Sequence, residues 1–543
     1  MKGLMQEQPL NIPALIRHAR RLHSAKTVTT NTDGGPSVRT FAETIDRSQR
    51  LMSALRSLGV TGDDRVATFC WNSQAHLETY IAAPCMGAVL HTLNIRLFPN
   101  DLAYIVKHAE DSVVIVDKSL WPAWEKVAAQ VSGIKHVIVV DDIEGPAPAG
   151  TLDYEELLAG HDLLPFDDDI PENQAAAMCY TSGTTGNPKG VVYTHRSTYL
   201  HSIAVGLADS IGLRETDVVM PIVPMFHANA WGIPYAGLVF GADMVLPGRF
   251  MTPDALAQLM VDRQVTLGFG VPTIWLGMLE PLKKVRDQLN LHTIVCGGSA
   301  VPRALLDAYQ RDLGVPILHA WGMTEMSPVG SVARLLAAHS GLTEQQVGDV
   351  RSTQGRVVPG IDMRLGDDAG NELPWDGQTV GEIQVRGNWI ASSYYNDDSS
   401  PEKFVDGWLR TGDVATIDGQ GLIRIVDRTK DLVKSGGEWI SSVELEGHIM
   451  AHPDVAEAAV VALPHPRWDE RPLACVVRRP GTEATLTRET LMAFLEPRVA
   501  KWWLPDDIVF IDEVPKTSVG KFDKKVLRER FKDHVLPEVA TRA

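Results

Sequence analysis

Tyr180-Thr-Ser-Gly-Thr-Thr-Gly-Asn-Pro-Lys-Gly190 is the stretch on which the fold turns. Hydroxyl residues, three glycines and one lysine share the ten positions after Tyr180. Glycine lets backbone N–H groups come close to phosphate oxygens, hydroxyls donate further hydrogen bonds, and Lys189 adds a positive charge. A strand-like run, Ala175 to Cys179, leads into it. The stretch is not a Walker A loop, because Lys189 is followed by Gly190 and not by Ser or Thr. A plain surface loop punctuated by Gly and Pro is the bland alternative. The density of phosphate-binding groups favours a phosphate loop at the end of that strand.

Outward from this loop, apolar β-branched runs alternate with amphipathic helical patterns. Strand-like runs are Arg65–Trp71, Ser112–Asp117, His136–Asp142, Asp217–Val223, Val265–Phe269 and Thr293–Cys296, and helical patterns include Thr40–Leu58 and Pro253–Arg263. Such alternation predicts parallel or mixed sheets covered by helices. After about Gly355 the pattern changes. Gly381–Arg386 reads as a strand, and Val414–Ile417 and Leu422–Val426, joined by Asp418-Gly-Gln-Gly421, read as a hairpin. The last stretch is a smaller α+β theme. Val460–Leu463, Ala474–Arg478 and Ile508–Ile511 are strand-like, and Ser442–Met450 and Arg488–Val499 are helical. A boundary is expected between 427 and 431, giving domains 1–427 and 428–543.

The chain has 543 residues, 44% hydrophobic and 22% charged, as expected of a globular protein of more than one domain. No apolar run reaches the roughly 20 residues of a membrane helix, and Met1 to Gln8 lacks the build of a signal peptide. A cytoplasmic protein without a stable membrane anchor is expected. The net charge of −17 argues against nucleic acid as a partner. Residues 428–543 carry −1 and the remainder −16, so the tail would receive a polyanion more easily than the body. Cys70, Cys85, Cys179, Cys296 and Cys475 are scattered and read as buried, reduced thiols.

The loop resembles the signature of the adenylate-forming superfamily, which includes acyl-CoA synthetases, nonribosomal-peptide adenylation domains and firefly luciferase. The resemblance continues through Pro224-Met-Phe-His-Ala-Asn-Ala-Trp231, Gly297-Gly-Ser-Ala300 and His319-Ala-Trp-Gly-Met-Thr-Glu325. It extends through Gly407-Trp-Leu-Arg-Thr-Gly-Asp413, Asp427-Arg-Thr-Lys-Asp-Leu432, Lys434-Ser-Gly-Gly-Glu-Trp-Ile440 and Pro515-Lys-Thr-Ser-Val-Gly-Lys521. Within the superfamily the chain is most similar to medium- and long-chain fatty acyl-CoA synthetases and methylmercaptopropionate-CoA ligases. This implies an α/β fold: a large N-terminal domain of helix-covered mixed sheets with a small β-barrel-like part, then a small mobile α+β C-terminal domain. It also implies ATP and coenzyme A as co-substrates and Mg2+ as cofactor, with a homodimer expected by analogy.

By the same resemblance, Thr181, Ser182, Gly183, Thr184, Thr185, Gly186 and Lys189 hold the ATP phosphates, and Thr184 and Glu325 hold magnesium. Gly298, Ser299 and Ala300 line one face of adenine, and Trp321 the other, within His319, Ala320, Trp321, Gly322 and Met323. The family more often has Tyr where this chain has Trp321. Thr324 reaches the α-phosphate and Asp413 the ribose hydroxyls. Arg428, Lys430 and Lys434 lie on the interdomain link with the hinge at Lys430, and Gly436 and Gly437 line the pantetheine tunnel. Lys521 is the catalytic cation, between the substrate carboxylate and the α-phosphate. His227, Ala228 and Trp231 border the acid, with Trp231 as gate to an acyl tunnel. Adenylation domains for amino acids usually have Phe-Asp where this chain has Phe226-His227, so an acid without an α-amino group is expected. Ile233, Tyr235 and Val271 suit a hydrocarbon tail. A medium- or long-chain fatty acid is the leading substrate. A short thioether, aryl or branched acid, or transfer to a carrier protein or an amine, stays open.

Overall fold

A computed structural model describes residues 1, 3–181, 187–367, 369–398, 401–436, 438–517 and 521–537. Four sheets organise it. The first has seven strands in the order Leu152–Asp153, His136–Val140, Asp111–Asp117, Arg65–Phe69, Val89–Thr92, Ala175–Tyr180, Gly190–Thr194, parallel except for the last pair. All seven residues of Asp111–Asp117 are buried, as a parallel strand covered on both faces requires. Phe41–Ser57 packs against the helices Gln74–Cys85 and Tyr154–Ala159. It starts where Thr40 and Glu43 cap one another reciprocally.

The second sheet has nine strands. Its centre runs Ile317–Gly322, Thr293–Gly297, Leu267–Gly270, Val218–Pro221, Asp243–Leu246, all parallel. From Val218–Pro221 the chain moves to one side, and from Leu267–Gly270 to the other. A crevice opens beyond the carboxyl ends of two such neighbours. Residues 222–231 and Val271 leave those ends.

The small barrel-like part is an antiparallel sheet of six strands in which Trp408–Ile417 pairs with Gly381–Gly387, Phe404–Val405 and Ile423–Arg428. Beyond it, Glu438–Ile440, Val433–Ser435, Asp469–Arg478, Val455–His465 and Asp507–Phe510 form the last sheet, with its own apolar core around Val433, Leu445, Val460 and Val476. The predicted elements exist, but several bounds differ. The hairpin runs from Trp408 to Arg428, because the segment read as the nucleotide motif 407–413 is itself mostly strand. Arg488–Val499 stops as a helix at Leu495, since Pro497 cannot donate the next backbone bond. All five cysteines are buried and unpaired. Among the described residues, no helix is long and apolar enough to cross a membrane.

Candidate active site

The neck of the phosphate loop is closed by Thr181 N–H donating to the Lys189 carbonyl (2.9 Å) and Lys189 N–H donating to Thr181 Oγ1 (3.2 Å). Lys189 Nζ lies 3.1 Å from the Asp397 carboxylate and 5.0 Å from the centre of the Tyr394 ring. Ser182, Gly183, Thr184, Thr185 and Gly186 lie outside the described residues, so the expected phosphate cradle is described only at its two ends. Tyr180, at the base, has its hydroxyl 2.7 Å from His108 Nδ1.

Gly297 ends the strand Thr293–Gly297 of the nine-stranded sheet, and Gly298 begins the bend that follows. A Cβ on Gly297 would lie 2.5 Å from the Ala320 carbonyl oxygen and 3.6 Å from the Trp231 ring. Gly298 has φ +86°, and a Cβ there would touch both Val271 and Lys521 Cε. Ser299 and Ala300 follow, exposed. His319 is buried, its carbonyl accepts from Ala333 N–H, and the backbone at Ser352 and Thr353 faces its ring. That is a setting between strands. Burial holds the His319 imidazole neutral, down at about 4. Ala320 pairs across to Gly297. Gly322 cannot carry a side chain, because a Cβ would fall 1.8 Å from the Pro328 carbonyl oxygen. Met323 N–H donates to that same oxygen. These close approaches shape the turn into Thr324 and Glu325.

Glu325 is buried, and its Oε1 accepts from Tyr394 Oη at 2.6 Å. The Thr324 carbonyl accepts from Tyr193 Oη at 2.7 Å. Trp321 donates Nε1–H to Asp413 Oδ2 at 2.8 Å, and Arg428 Nε sits 3.3 Å from Asp413 Oδ1. Both oxygens of Asp413 are therefore held, and the side chains expected at the adenine and at the ribose are bonded to one another.

Lys521 reaches this same place from the small domain. Burial first, and then the nearby Arg428 charge, lower its ammonium to about 8, with Asp413 and Glu325 opposing the shift. His227 is pushed down to about 3, first by burial and then by the Lys521 charge, so it stands as a neutral imidazole beside a cation. Ala228, Asn229, Ala230 and Trp231 all have φ between +37° and +57°, a left-handed run that non-glycine residues rarely adopt. Asn229 anchors it. Its Oδ1 accepts from Thr92 Oγ1 (3.1 Å) and Cys179 Sγ (2.8 Å). The run leaves Trp231 buried against the glycine turn at 297. Ile233 and Val271 are buried nearby, while Tyr235 bonds to the Tyr80 carbonyl within the core.

Not every expected residue gathers here. Lys430 is exposed on the link. Lys434 and Gly436 lie on the Val433–Ile440 hairpin, where Lys434 Nζ stands 5.0 Å from the Trp439 ring and Gly436, at φ +63°, faces the Trp468 ring. Gly437 lies outside the described residues. Tyr394 and Asp397, which hold Glu325 and Lys189, and Asn229 were not singled out from the sequence. The first two stand about 70 and 208 positions from their partners, and no local spacing marks such a pair.

Residues 15–395 match the family model for AMP-binding enzymes, and 444–521 match the AMP-binding enzyme C-terminal domain. The chain is 45% identical to a long-chain-fatty-acid–CoA ligase of Thermus thermophilus, with 98% of this chain and 97% of that one covered. It is 44% identical to a 3-methylmercaptopropionyl-CoA ligase of Ruegeria pomeroyi, covering 98% and 99%. An anthranilate CoA ligase solved in complex with anthranoyl-AMP superposes with a TM-score of 0.87 at 26% identity, covering 98% and 99%.

Proposed function

The chain belongs to the AMP-binding enzyme family, and from that premise we propose that it is an AMP-forming acyl-CoA ligase whose acid is a medium- or long-chain fatty acid. The observation that carries the reading is the meeting of Lys521 with Gly298, Asp413 and Glu325 in one crevice.

The reaction runs in two steps. A carboxylate oxygen attacks the α-phosphorus of ATP, the bond to pyrophosphate breaks, and acyl-AMP forms. The sulfur of coenzyme A then attacks the acyl carbon, AMP leaves, and the thiol proton passes to solvent. In the first step negative charge gathers on the oxygens between acid and α-phosphorus. The Lys521 ammonium is placed to meet that charge, and a preplaced donor of this kind supplies about 3–4 kcal/mol. Asp413 accepts from the ribose hydroxyls and Trp321 covers adenine, opposite Gly298, Ser299 and Ala300. Thr324 and the ends of the phosphate loop, Thr181 and Lys189, face the phosphates. Neutral His227 borders the carboxylate without adding charge.

Glu325 is a buried oxygen donor whose Oε1 is oriented by Tyr394, which fits a hard cation that keeps most of its waters. With Thr184 it would hold Mg2+, which supplies charge neutralisation at the phosphates. For the second step the small domain, 428–543, turns about Lys430 and brings Gly436 and Gly437 to the acyl-adenylate, with Lys434 and Arg428 along the path. The cation-capped Trp439 and Trp468 are exposed in the present orientation and suit the nucleotide end of coenzyme A. A homodimer belongs to the same proposal and rests on the family resemblance alone.

The apolar surroundings of Trp231, and the lack of a carboxylate beside Phe226, support an acid with a hydrocarbon tail and no α-amino group. Similar identity to a methylmercaptopropionyl-CoA ligase favours a short thioether acid as the second reading. AMP release measured across straight-chain acids of two to eighteen carbons and 3-methylmercaptopropionate, with and without coenzyme A, tests both. The proposal expects the highest kcat/KM at eight carbons or longer. A maximum at the thioether acid would replace it with the second reading.

A further inference from the structure

Two serines at the start of the helix Ser442–Met450 reach back across the interdomain link. Ser442 donates both its N–H and its hydroxyl to Asp427 Oδ2, each at 2.6 Å. Ser441 donates its hydroxyl to the Val426 carbonyl. Asp427 is 1% exposed, on the last strand of the large domain, and its other oxygen accepts from Arg428 N–H at 2.7 Å. Lys524 completes the cluster from the other side. Its Nζ donates to Ser442 Oγ at 2.6 Å and pairs with Glu446 at 2.7 Å. Lys524 stands three residues after Lys521.

The position of these bonds relative to Lys430 decides their meaning. Glu446–Lys524 and Asp431–Arg528 (2.6 Å) join groups that lie on the same side of residue 430. A rotation there leaves them intact. The bonds from Ser441 and Ser442 to Val426 and Asp427 cross it, and any large rotation breaks all three. The two crossing bonds to Asp427 are charge-assisted at a buried carboxylate, the stronger kind, yet the carboxylate regains water when they open. Such a contact holds one orientation without making it permanent. That orientation is the one in which Lys521 lies beside Gly298 and Asp413.

We propose that Asp427 is a positioning residue: through Ser442 and Lys524 its carboxylate latches the small domain in the orientation that inserts Lys521, and so favours acyl-AMP formation over thioester formation. The inference rests on the two-step ligase reading. Removing the latch shifts the orientation equilibrium, so the two half-reactions respond unequally. A residue that merely supported the fold would depress both.

The test uses full-length Asp427→Ala, Asp427→Asn and Ser442→Ala. Pyrophosphate exchange into ATP, with acid present, reads the first step, and thioester formation from supplied acyl-AMP reads the second. We expect Asp427→Ala to lower exchange about tenfold, which is about 1.4 kcal/mol, with thioester formation within about twofold of wild type. Asp427→Asn, which keeps an acceptor for Ser442 N–H, recovers part of the loss. Ser442→Ala, a loss of one oxygen, gives a smaller change in the same ratio should Asp427→Ala fail to fold. In parallel, spin labels at Asp254→Cys and Glu483→Cys report the interdomain distance. Both sites are exposed, and the five native cysteines are buried. The distance distribution broadens or shifts when Asp427 is replaced. An unchanged distribution, or equal loss in both half-reactions, overturns the latch. Absence of exchange in wild type with every acid would instead overturn the ligase reading, and the label distances would still judge the latch.

Discussion

Replacing Trp321 with Phe removes one hydrogen bond and keeps a flat ring for the adenine that we propose it covers. The indole Nε1–H donates to Asp413 Oδ2 at 2.8 Å, on an aspartate whose side chain is only 12% exposed. A hydrogen bond to a charged acceptor contributes about 1.5–3 kcal/mol. Part of that returns, because Asp413 keeps Arg428 Nε at 3.3 Å and the freed lone pair can accept from water or from the ribose. The net loss is then about 1–2 kcal/mol in ATP recognition, or a KM for ATP raised roughly 5- to 30-fold. The smaller ring also loosens packing against Gly330, where a Cβ would stand 2.8 Å from the indole, so the melting temperature serves as a control. The assay is pyrophosphate exchange with ATP, 2′-deoxy-ATP and 3′-deoxy-ATP. In wild type a correctly held Asp413 penalises loss of a ribose hydroxyl, and in Trp321→Phe that penalty shrinks, which a double-mutant cycle isolates. An unchanged KM for ATP with undiminished discrimination between ATP and its deoxy analogues would show that the Trp321–Asp413 bond does not orient the carboxylate.

Lys521, lowered to about 8 by burial and then by Arg428, gives a pH dependence with a definite sign. The ammonium is present below that value and lost above it, so kcat/KM for acyl-AMP formation should fall as pH rises through about 8, and Arg428→Gln should move the alkaline limb upward. A limb that stays above pH 10 in wild type would contradict this. Gly322→Ala would push a Cβ to 1.8 Å from the Pro328 carbonyl oxygen. Backbone must move, so a drop of several degrees in melting temperature and loss of ATP binding are expected by calorimetry. In Gly436→Ala a Cβ at φ +63° meets the Trp468 ring at 2.7 Å. Thioester formation from acyl-AMP should slow at least tenfold with pyrophosphate exchange nearly unchanged, and equal loss in both would remove Gly436 from the tunnel.

The sequence was most legible where chemistry and spacing are local. Alternating apolar runs located the central strands, the helical pattern Thr40–Leu58 corresponds to the helix Phe41–Ser57, and the helix Ser442–Met450 has the bounds expected. The motifs around Gly298, Trp321, Asp413 and Lys521 converge on one crevice although up to 223 positions separate them. What was not legible is pairing at long range. Nothing near Tyr394 tells of Glu325, and nothing near Asp427 tells of Ser442, because sheet topology brings them together. The left-handed run at Ala228–Trp231 was equally hidden, since of those residues only Asn229 takes positive φ readily and its tertiary contacts hold the run.

We propose that Lys521 serves the adenylation step and only that step. Full-length Lys521→Ala, folded by its melting curve, should lose roughly 10²–10³-fold in pyrophosphate exchange while converting supplied acyl-AMP and coenzyme A to thioester at close to the wild-type rate. Exchange within twofold of wild type, or a thioester step reduced as much as exchange, would contradict it.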